Sequence, residues 1–495
     1  MKFSCPKCKS KLDIEKTFKN QFHFSCSNCN IEDLLEYSKN IDEVFLEFLS
    51  RYDQGLISEN QGSKDLKRQG MVRDEDEIKE MIGKSKPDSL TKEILYSKKD
   101  YISQYKILSN PEPKMGLEID ELGVDESIIE QLRELNIKQF YEFQEKAFQE
   151  IIFGHNVVIE APTASGKTEA FLIPLIQKIK KESDLGNVSA VFIYPTKALA
   201  RDQYPKIQKF AGKNGIKVNV FDGDTKVDER RDIIENPPHI LITNFDVIHY
   251  HLWHQTKFSV ILTSTKILVV DEAHVYSGIF GSNVHYIIKR LKRLCKNKIQ
   301  FIAASATLED SKNFCQNLFG EKFQIIKGSG RKGDTEFAMI FPSLRTQSAL
   351  MVELTKKITQ KKHKTMVFSN SHLNSELLAI QAKKQKVNIK VHRAGLIANY
   401  RNFVEKQFKE DKIDAISCTP TLELGIDVGN VDCVISATIP VNRLTQRIGR
   451  AARKGQKGFA FLTLGNDPIS QYYKNHPDDY FEAVSYTHPT LPTKA

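Results

Sequence analysis

The chain predicts an α/β molecule of two tandem domains, each a parallel sheet flanked by helices, behind a small cysteine-bearing module. Three observations carry this expectation. Short runs rich in Val and Ile recur at 157–160, 190–194, 240–243, 267–270 and 301–304, with helix-like segments such as 197–210 and 281–295 between them. Such alternation implies βαβ units and a sheet covered on both faces. After the break Gly328-Ser-Gly-Arg-Lys-Gly333 the pattern restarts, with strand-like runs at 365–368, 414–417, 431–435 and 458–464. Ahead of both stand two Cys-x-x-Cys pairs.

A length of 495 residues exceeds one core and fits about three domains. The expected divisions are a metal module at 1–35, a charged linker with accessory helices at 36–115, a first α/β domain at 116–330, a second at 331–482 and an ending at 483–495. Within the linker, 64–74 and 84–88 read as solvated chain, while 41–51 has the apolar spacing of a helix that docks on a neighbour. From about Ser485 the chain has two prolines and no periodicity, and it reads as a frayed or non-native end. No apolar run approaches the ~18 residues that span a bilayer. The start, Met1-Lys-Phe-Ser-Cys5, lacks the apolar stretch of a secretory signal, so the cytoplasm is the expected compartment. A formal charge of +10 fits a polyanionic partner, although a lysine-rich solvated surface gives the same sum.

Cys5-Pro-Lys-Cys8 and Cys26-Ser-Asn-Cys29 have the spacing that closes a tetrahedral Zn²⁺ site. A segment this short cannot build its own core, so metal would supply most of its folding energy. The module resembles a zinc ribbon, and its lysines and phenylalanines fit either nucleic-acid or protein docking. Cys295, Cys315, Cys418 and Cys433 are scattered and read as small buried side chains.

Ala161-Pro-Thr-Ala-Ser-Gly-Lys-Thr168 sits between a strand-like run and a helix-like one, where backbone N–H groups cradle phosphates. Thr163, Ser165 and Gly166 form the loop of this ATP site, Lys167 reaches the β- and γ-phosphates, and Thr168 offers a hydroxyl to Mg²⁺. Ala161 stands where the usual pattern has its first glycine. Downstream, Asp271 and Glu272 end a buried strand, the position where ligands of open α/β sheets collect. Asp271 is expected to hold the Mg²⁺ and Glu272 to orient or deprotonate the attacking water. In Gln446-Arg-Ile-Gly-Arg-Ala-Ala-Arg453, Arg450 and Arg453 share one face of an expected helix and are suited to stabilise transition-state charge.

In this order the motifs resemble the superfamily 2 helicases with DEAD/DEAH boxes over residues ~117 to ~482, which implies two RecA-like domains. Gln144, in Phe140-Tyr-Glu-Phe-Gln144, resembles the family's adenine-reading glutamine. Tyr194-Pro-Thr-Lys-Ala-Leu-Ala-Arg-Asp-Gln203, Phe221-Asp-Gly-Asp-Thr225 and Thr243-Asn-Phe-Asp246 resemble its strand-contacting motifs. Ser305-Ala-Thr307 is similar to the motif that couples hydrolysis to unwinding, so the resemblance implies coupling roles for Ser305 and Thr307, with His274 of Asp271-Glu-Ala-His274. Val367-Phe-Ser-Asn370, His392-Arg-Ala-Gly395 and Thr419-Pro-Thr-Leu-Glu-Leu-Gly-Ile-Asp427 complete the set, which places Gly425 and Asp427 beside the nucleotide and gives Gln446 a catalytic role with Arg450 and Arg453.

The longer stretches Asp271-Glu-Ala-His-Val-Tyr-Ser-Gly-Ile-Phe-Gly-Ser282 and Asp467-Pro468 through Tyr480-Phe481 resemble the YprA/MrfA-type DNA-repair helicases, relatives of Lhr. That branch implies 3′-to-5′ movement on DNA. Ala452 departs from the glycine usual in the final motif, and the branch's C-terminal cysteine cluster has no counterpart in this sequence. Thr196, Arg201, Thr243, Asn244, Ser369, Arg393 and Thr419 follow strand-like runs and carry groups suited to phosphate oxygens. Each is also an ordinary choice for a helix cap or turn. The expected function is an ATP-, Mg²⁺- and Zn²⁺-dependent helicase or translocase on nucleic acid, DNA before RNA. The rivals are an RNA helicase of the same fold and a zinc-dependent binding module with an inactive motor.

Overall fold

The structure, a computed structural model, describes residues 3–16, 21–26, 28–29, 31–36, 71–109, 112–162, 165–181, 187–306, 310–329, 333–423, 428–452 and 456–482. They form two compact units, one from the described residues of 110–332 and the other from those of 1–109 with 333–423 and 428–483.

The first unit holds a seven-stranded sheet in the order Gln324–Lys327, Val157–Glu160, Gln300–Ser305, Ile267–Val270, Ala190–Ile193, Ile240–Thr243, Val218–Val220, parallel throughout. Its central strands are buried along their whole length, as their unbroken Val/Ile character requires. Successive side chains alternate between the sheet's two faces. Val157, Ile159, Phe192, Ile242 and Val269 join one core with Phe171, Ile176 and Ile207 from helices. Val158, Val191, Leu241, Leu268 and Val270 join the other with Phe245, Ile248, Val284 and Ile288. The two RecA-like domains expected from the sequence are therefore present as parallel sheets flanked by helices.

In the second unit the order is Ile389–His392, Ala415–Cys418, Thr365–Phe368, Cys433–Ala437, Gly458–Thr463, Thr335–Phe341, Tyr101–Leu108. The last strand alone runs antiparallel to its neighbour. Here the structure departs from the sequence expectation, which placed all of 36–115 in a charged linker with accessory helices. Glu75–Ile82 and Ser89–Leu95 are helices, but Tyr101–Leu108 is an edge strand of the sheet. Ile102 and Tyr105 enter the same core as Ile340 and Phe461, which overrides the surrounding charge. Asp100 is held by Arg345, and Asp88 N–H by Glu336.

The N-terminal module is a three-stranded antiparallel sheet, Asp13–Lys16, Gln21–Cys26 and Ile31–Glu36, around Cys5, Leu12, Phe24 and Ile31. The expected helix at 41–51, the stretch 64–70 and the ending from 485 lie outside the described residues. Among the described residues no helix is long and apolar enough to cross a membrane.

Candidate nucleotide site and its surroundings

Val157–Glu160 delivers the chain to Ala161, whose N–H donates to Ser305 O at 3.1 Å, and helix Lys167–Lys181 leaves the loop. Gly166 has φ +88°, and a Cβ there would meet Gln144 Nε2 at 2.4 Å. The left-handed backbone favours glycine, and a larger residue would also have to displace the Gln144 amide. Gln144 accepts from Tyr141 N–H at 2.9 Å and donates to Gly166 O at 3.0 Å, so it braces the loop from behind. Lys167 is buried and its ammonium donates to Ala161 O at 2.9 Å, folded back across the loop. Ser165 Oγ is buried, and among the described residues nothing hydrogen-bonds it. A buried hydroxyl without a partner costs about 1–3 kcal/mol, which a phosphate oxygen would relieve. Thr168 opens the helix, partly exposed; Thr163 lies outside the described residues.

Strand Ile267–Val270 carries Asp271 and Glu272 to its C-terminal tip. Both are buried. Asp271 Oδ1 accepts from Glu272 N–H at 2.8 Å, and Glu272 sits in left-handed backbone at φ +49°. Such strain in a non-glycine residue costs about 1–3 kcal/mol and clusters at functional sites. Burial first, then repulsion by Glu272, pushes the Asp271 carboxyl up to about 7, while the Lys167 ammonium pulls it back. Two crowded carboxylates, with the Thr168 hydroxyl in the first turn of the helix that follows the P-loop, are a hard oxygen donor set of the kind Mg²⁺ takes. His274 Nδ1 lies 2.9 Å from Ser305 Oγ and 3.6 Å from Glu272 Oε2. Ser305 thus meets the loop through its carbonyl and His274 through its hydroxyl. Thr307 lies outside the described residues.

In the second unit, helix Val441–Ile448 ends before Arg450, which corrects the expectation of one helical face for Arg450 and Arg453. The chain turns at Gly449 and reaches left-handed backbone at Ala452, φ +58°, the position where the resembled motif has glycine. Arg450 is buried and its guanidinium donates to the Glu423 carbonyl. Around the Glu423 side chain lies a group that single-sequence reading missed. Arg447, fully buried, donates to Glu423 Oε1 at 2.5 Å and Ser436 Oγ at 2.8 Å, and lies 4.8 Å from the Phe368 ring. Arg443 is bidentate on the same carboxylate at 2.9 and 2.8 Å. The clue was an acid inside a motif read only for its threonine, glycine and aspartate. Gln446 is half-buried, while Gly425, Asp427 and Arg453 lie outside the described residues.

The residues expected to contact phosphates are placed as follows. Thr196 and Asn244 cap helices Lys197–Gly212 and Phe245–Trp253, accepting from Leu199 N–H and Val247 N–H. Arg201 is bidentate on buried Asp222, at 3.1 and 2.9 Å. Burial drives Asp222 upward, but Arg201 and the Asp224 N–H win and hold its carboxyl below the usual range. Thr243 is buried and donates to Phe221 O at 2.7 Å. Ser369 and Thr419 stand at buried strand tips, their N–H groups on Cys418 O and His392 O. Arg393 donates to Glu376 at 2.7 Å.

Cys5, Cys8, Cys26 and Cys29 bring four sulfurs within 4.8 Å of one another, Cys8 Sγ and Cys26 Sγ being 3.5 Å apart. Four thiolates ~2.3 Å from a tetrahedral ion would stand roughly 3.8 Å apart, so the cluster fits Zn²⁺. Cys295, Cys315, Cys418 and Cys433 are dispersed, the last three buried.

A P-loop at one strand tip, two carboxylates at another and a second RecA-like sheet define a helicase core. The DEAD/DEAH box helicase model matches residues 141–314 and the helicase conserved C-terminal domain model residues 347–455. The chain belongs to the DEAD/DEAH-box helicases. Within them it is 32% identical over 363 residues to an ATP-dependent helicase of Methanocaldococcus jannaschii, covering 70% of this chain and 52% of that one. It is 31% identical over 382 residues to the ATP-dependent helicase YprA of Bacillus subtilis, covering 72% and 50%. The crystal structure of the DUF1998 helicase MrfA bound to DNA aligns with TM-score 0.72 and 30% identity, over 80% of this chain and 56% of that one. The chain spans about half the length of these relatives.

Proposed function

We propose that this chain is an ATP-dependent helicase or translocase acting on DNA, moving 3′-to-5′ and serving DNA repair or processing in the cytoplasm. The observation that carries the reading is the convergence at the strand tips of the first sheet. Lys167 and the carboxylates Asp271 and Glu272 share one electrostatic neighbourhood, and the loop's buried Ser165 hydroxyl has no hydrogen-bond partner among the described residues.

In this reading Lys167 leaves Ala161 O for the β- and γ-phosphates, and Ser165, Gly166 and Thr163 line the phosphate path. Gln144 holds the loop and meets the adenine edge. Asp271 and Thr168 hold Mg²⁺, which supplies charge neutralisation on the phosphates. Glu272, its backbone locked in a left-handed turn, takes the proton of the attacking water. His274 and Ser305, with Thr307, pass the state of that carboxylate to the P-loop strand. Gln446, Arg450 and Arg453 keep the role their motif resembles, stabilising γ-phosphate charge, with Gly425 and Asp427 bordering the nucleotide. Thr196, Arg201, Thr243, Asn244, Ser369, Arg393 and Thr419 form the track for the strand. Zn²⁺ in the four-cysteine cluster folds the N-terminal module, which docks nucleic acid or protein.

Support for DNA comes from the similarity to MrfA, whose structure was determined bound to DNA. A strand-displacement assay on DNA and RNA duplexes with 3′ or 5′ tails tests the reading. ATP-dependent displacement of 3′-tailed DNA supports it. Preference for RNA or for 5′ tails would overturn the substrate or the polarity, and no displacement alongside intact ATPase would leave a translocase.

A further inference from the structure

Helix Phe245–Trp253 starts at Asn244, one of the residues assigned above to the strand, and carries a stripe that the nucleotide chemistry does not use. Asp246, His249, Tyr250 and Trp253 fall at i, i+3, i+4 and i+7, one face of the helix. That face is open, with Trp253 71% and Tyr250 56% exposed. With His254 these residues line a cavity of about 410 Å³. The rings are arranged as a surface: His249 and Trp253 centroids are 6.4 Å apart, Tyr250 and His254 4.3 Å. Beside them helix Gly278–Leu294 presents Tyr286, 60% exposed, and Arg290, whose guanidinium lies 3.2 Å from His249 Nδ1.

We infer that this stripe is a base-stacking platform for single-stranded nucleic acid, continuing the strand path from Asn244 along the helix. The inference rests on the function proposed above. Large exposed rings on a folded surface mark an interaction site. Here their chemistry selects the partner. Every aromatic in the stripe has a flat exposed ring with a polar edge, which suits nucleobase faces. The charge is complementary to phosphate: helices Phe245–Trp253, Lys257–Ile261 and Gly278–Leu294 carry five Lys or Arg against one Asp, and among the described residues Lys292 alone of the five forms an ion pair with a carboxylate, that of Glu321. A cation beside stacked rings adds to the attraction of both base and phosphate.

Trp253 is the chain's single tryptophan, so its emission reports this face alone. The full chain is titrated with oligothymidylate and with an abasic strand of equal length, following Trp253 emission and, in parallel, the anisotropy of an end-labelled strand. Stacking quenches Trp253 along the anisotropy curve for oligothymidylate and not for the abasic strand. Trp253→Ala weakens oligothymidylate binding roughly tenfold, Trp253→Phe far less, and both leave the ATPase rate without nucleic acid unchanged. If anisotropy saturates while Trp253 emission stays constant and Trp253→Ala binds as wild type, the platform is refuted and a protein partner fits the face better. If wild type shows no anisotropy change with any strand, the nucleic-acid reading falls and the platform with it.

Discussion

Lys167, Asp271 and Glu272 each answer a different electrostatic demand within one small volume. The ammonium is parked on Ala161 O, Asp271 is driven up to about 7 by burial and by Glu272, and Glu272 is fixed by its own backbone. Glu272→Gln keeps shape and removes the base, so ATP turnover falls about 10²–10⁴-fold with nucleotide affinity nearly unchanged, read by phosphate release and nucleotide binding in parallel. These three residues were legible in the sequence because their chemistry is carried by contiguous motifs. The partner of Arg201 was not, since Asp222 meets it only through the fold. Arg201, read for phosphate, is also the cation that neutralises a buried carboxylate. Arg201→Ala should cost about 1–2 kcal/mol, allowing for solvent screening of the half-exposed arginine. In wild type the depressed Asp222 contributes stability above about pH 4, lost as pH falls through its folded value. In the variant burial dominates, the carboxyl rises, and its ionisation opposes folding as pH climbs past about 4. The stability gap between the two proteins therefore widens from acid toward neutral pH, measurable by urea unfolding at several pH values. A constant gap contradicts this account of the pair.

Among elements, most of those with unbroken apolar runs were read at or within a residue or two of their bounds, because burial on both faces leaves one solution for such sequences, although the fully buried strand Thr335–Phe341 was not read. Tyr101–Leu108 escaped, since it pairs with a strand far along the chain and its polar neighbours hide it. The helix beyond Ile448 was overextended because spacing alone does not reveal a turn at Gly449. Ala452 in left-handed backbone offers a direct check: Ala452→Gly removes about 1 kcal/mol of strain, partly offset by glycine's entropy, and should raise the melting temperature slightly. The N-terminal module offers another. If its four sulfurs hold zinc, chelation or Cys8→Ser unfolds that three-stranded sheet and exposes it to protease, while the two larger sheets keep their melting transition. Resistance of the module to chelator, together with a metal content of zero, contradicts a structural zinc.

At the scale of the whole molecule, two RecA-like sheets and their motif order were readable from the sequence, because each motif sits where a strand meets its helix. What the sequence withheld is how the second unit holds its arginines. Glu423 gathers Arg443, Arg447 and the peptide contact of Arg450, so Glu423→Ala leaves buried Arg447 uncompensated and should destabilise that unit by about 3–5 kcal/mol in chemical unfolding. A strand track made of phosphate contacts also predicts binding that weakens roughly tenfold to a hundredfold when salt rises from about 50 to about 200 mM. The most direct test of the central claim is ATP hydrolysis by the full chain with and without single-stranded DNA, in wild type and Glu272→Gln. The account predicts strong stimulation by DNA in wild type and background turnover in the variant under both conditions. Equal turnover in both proteins, untouched by DNA, would contradict it.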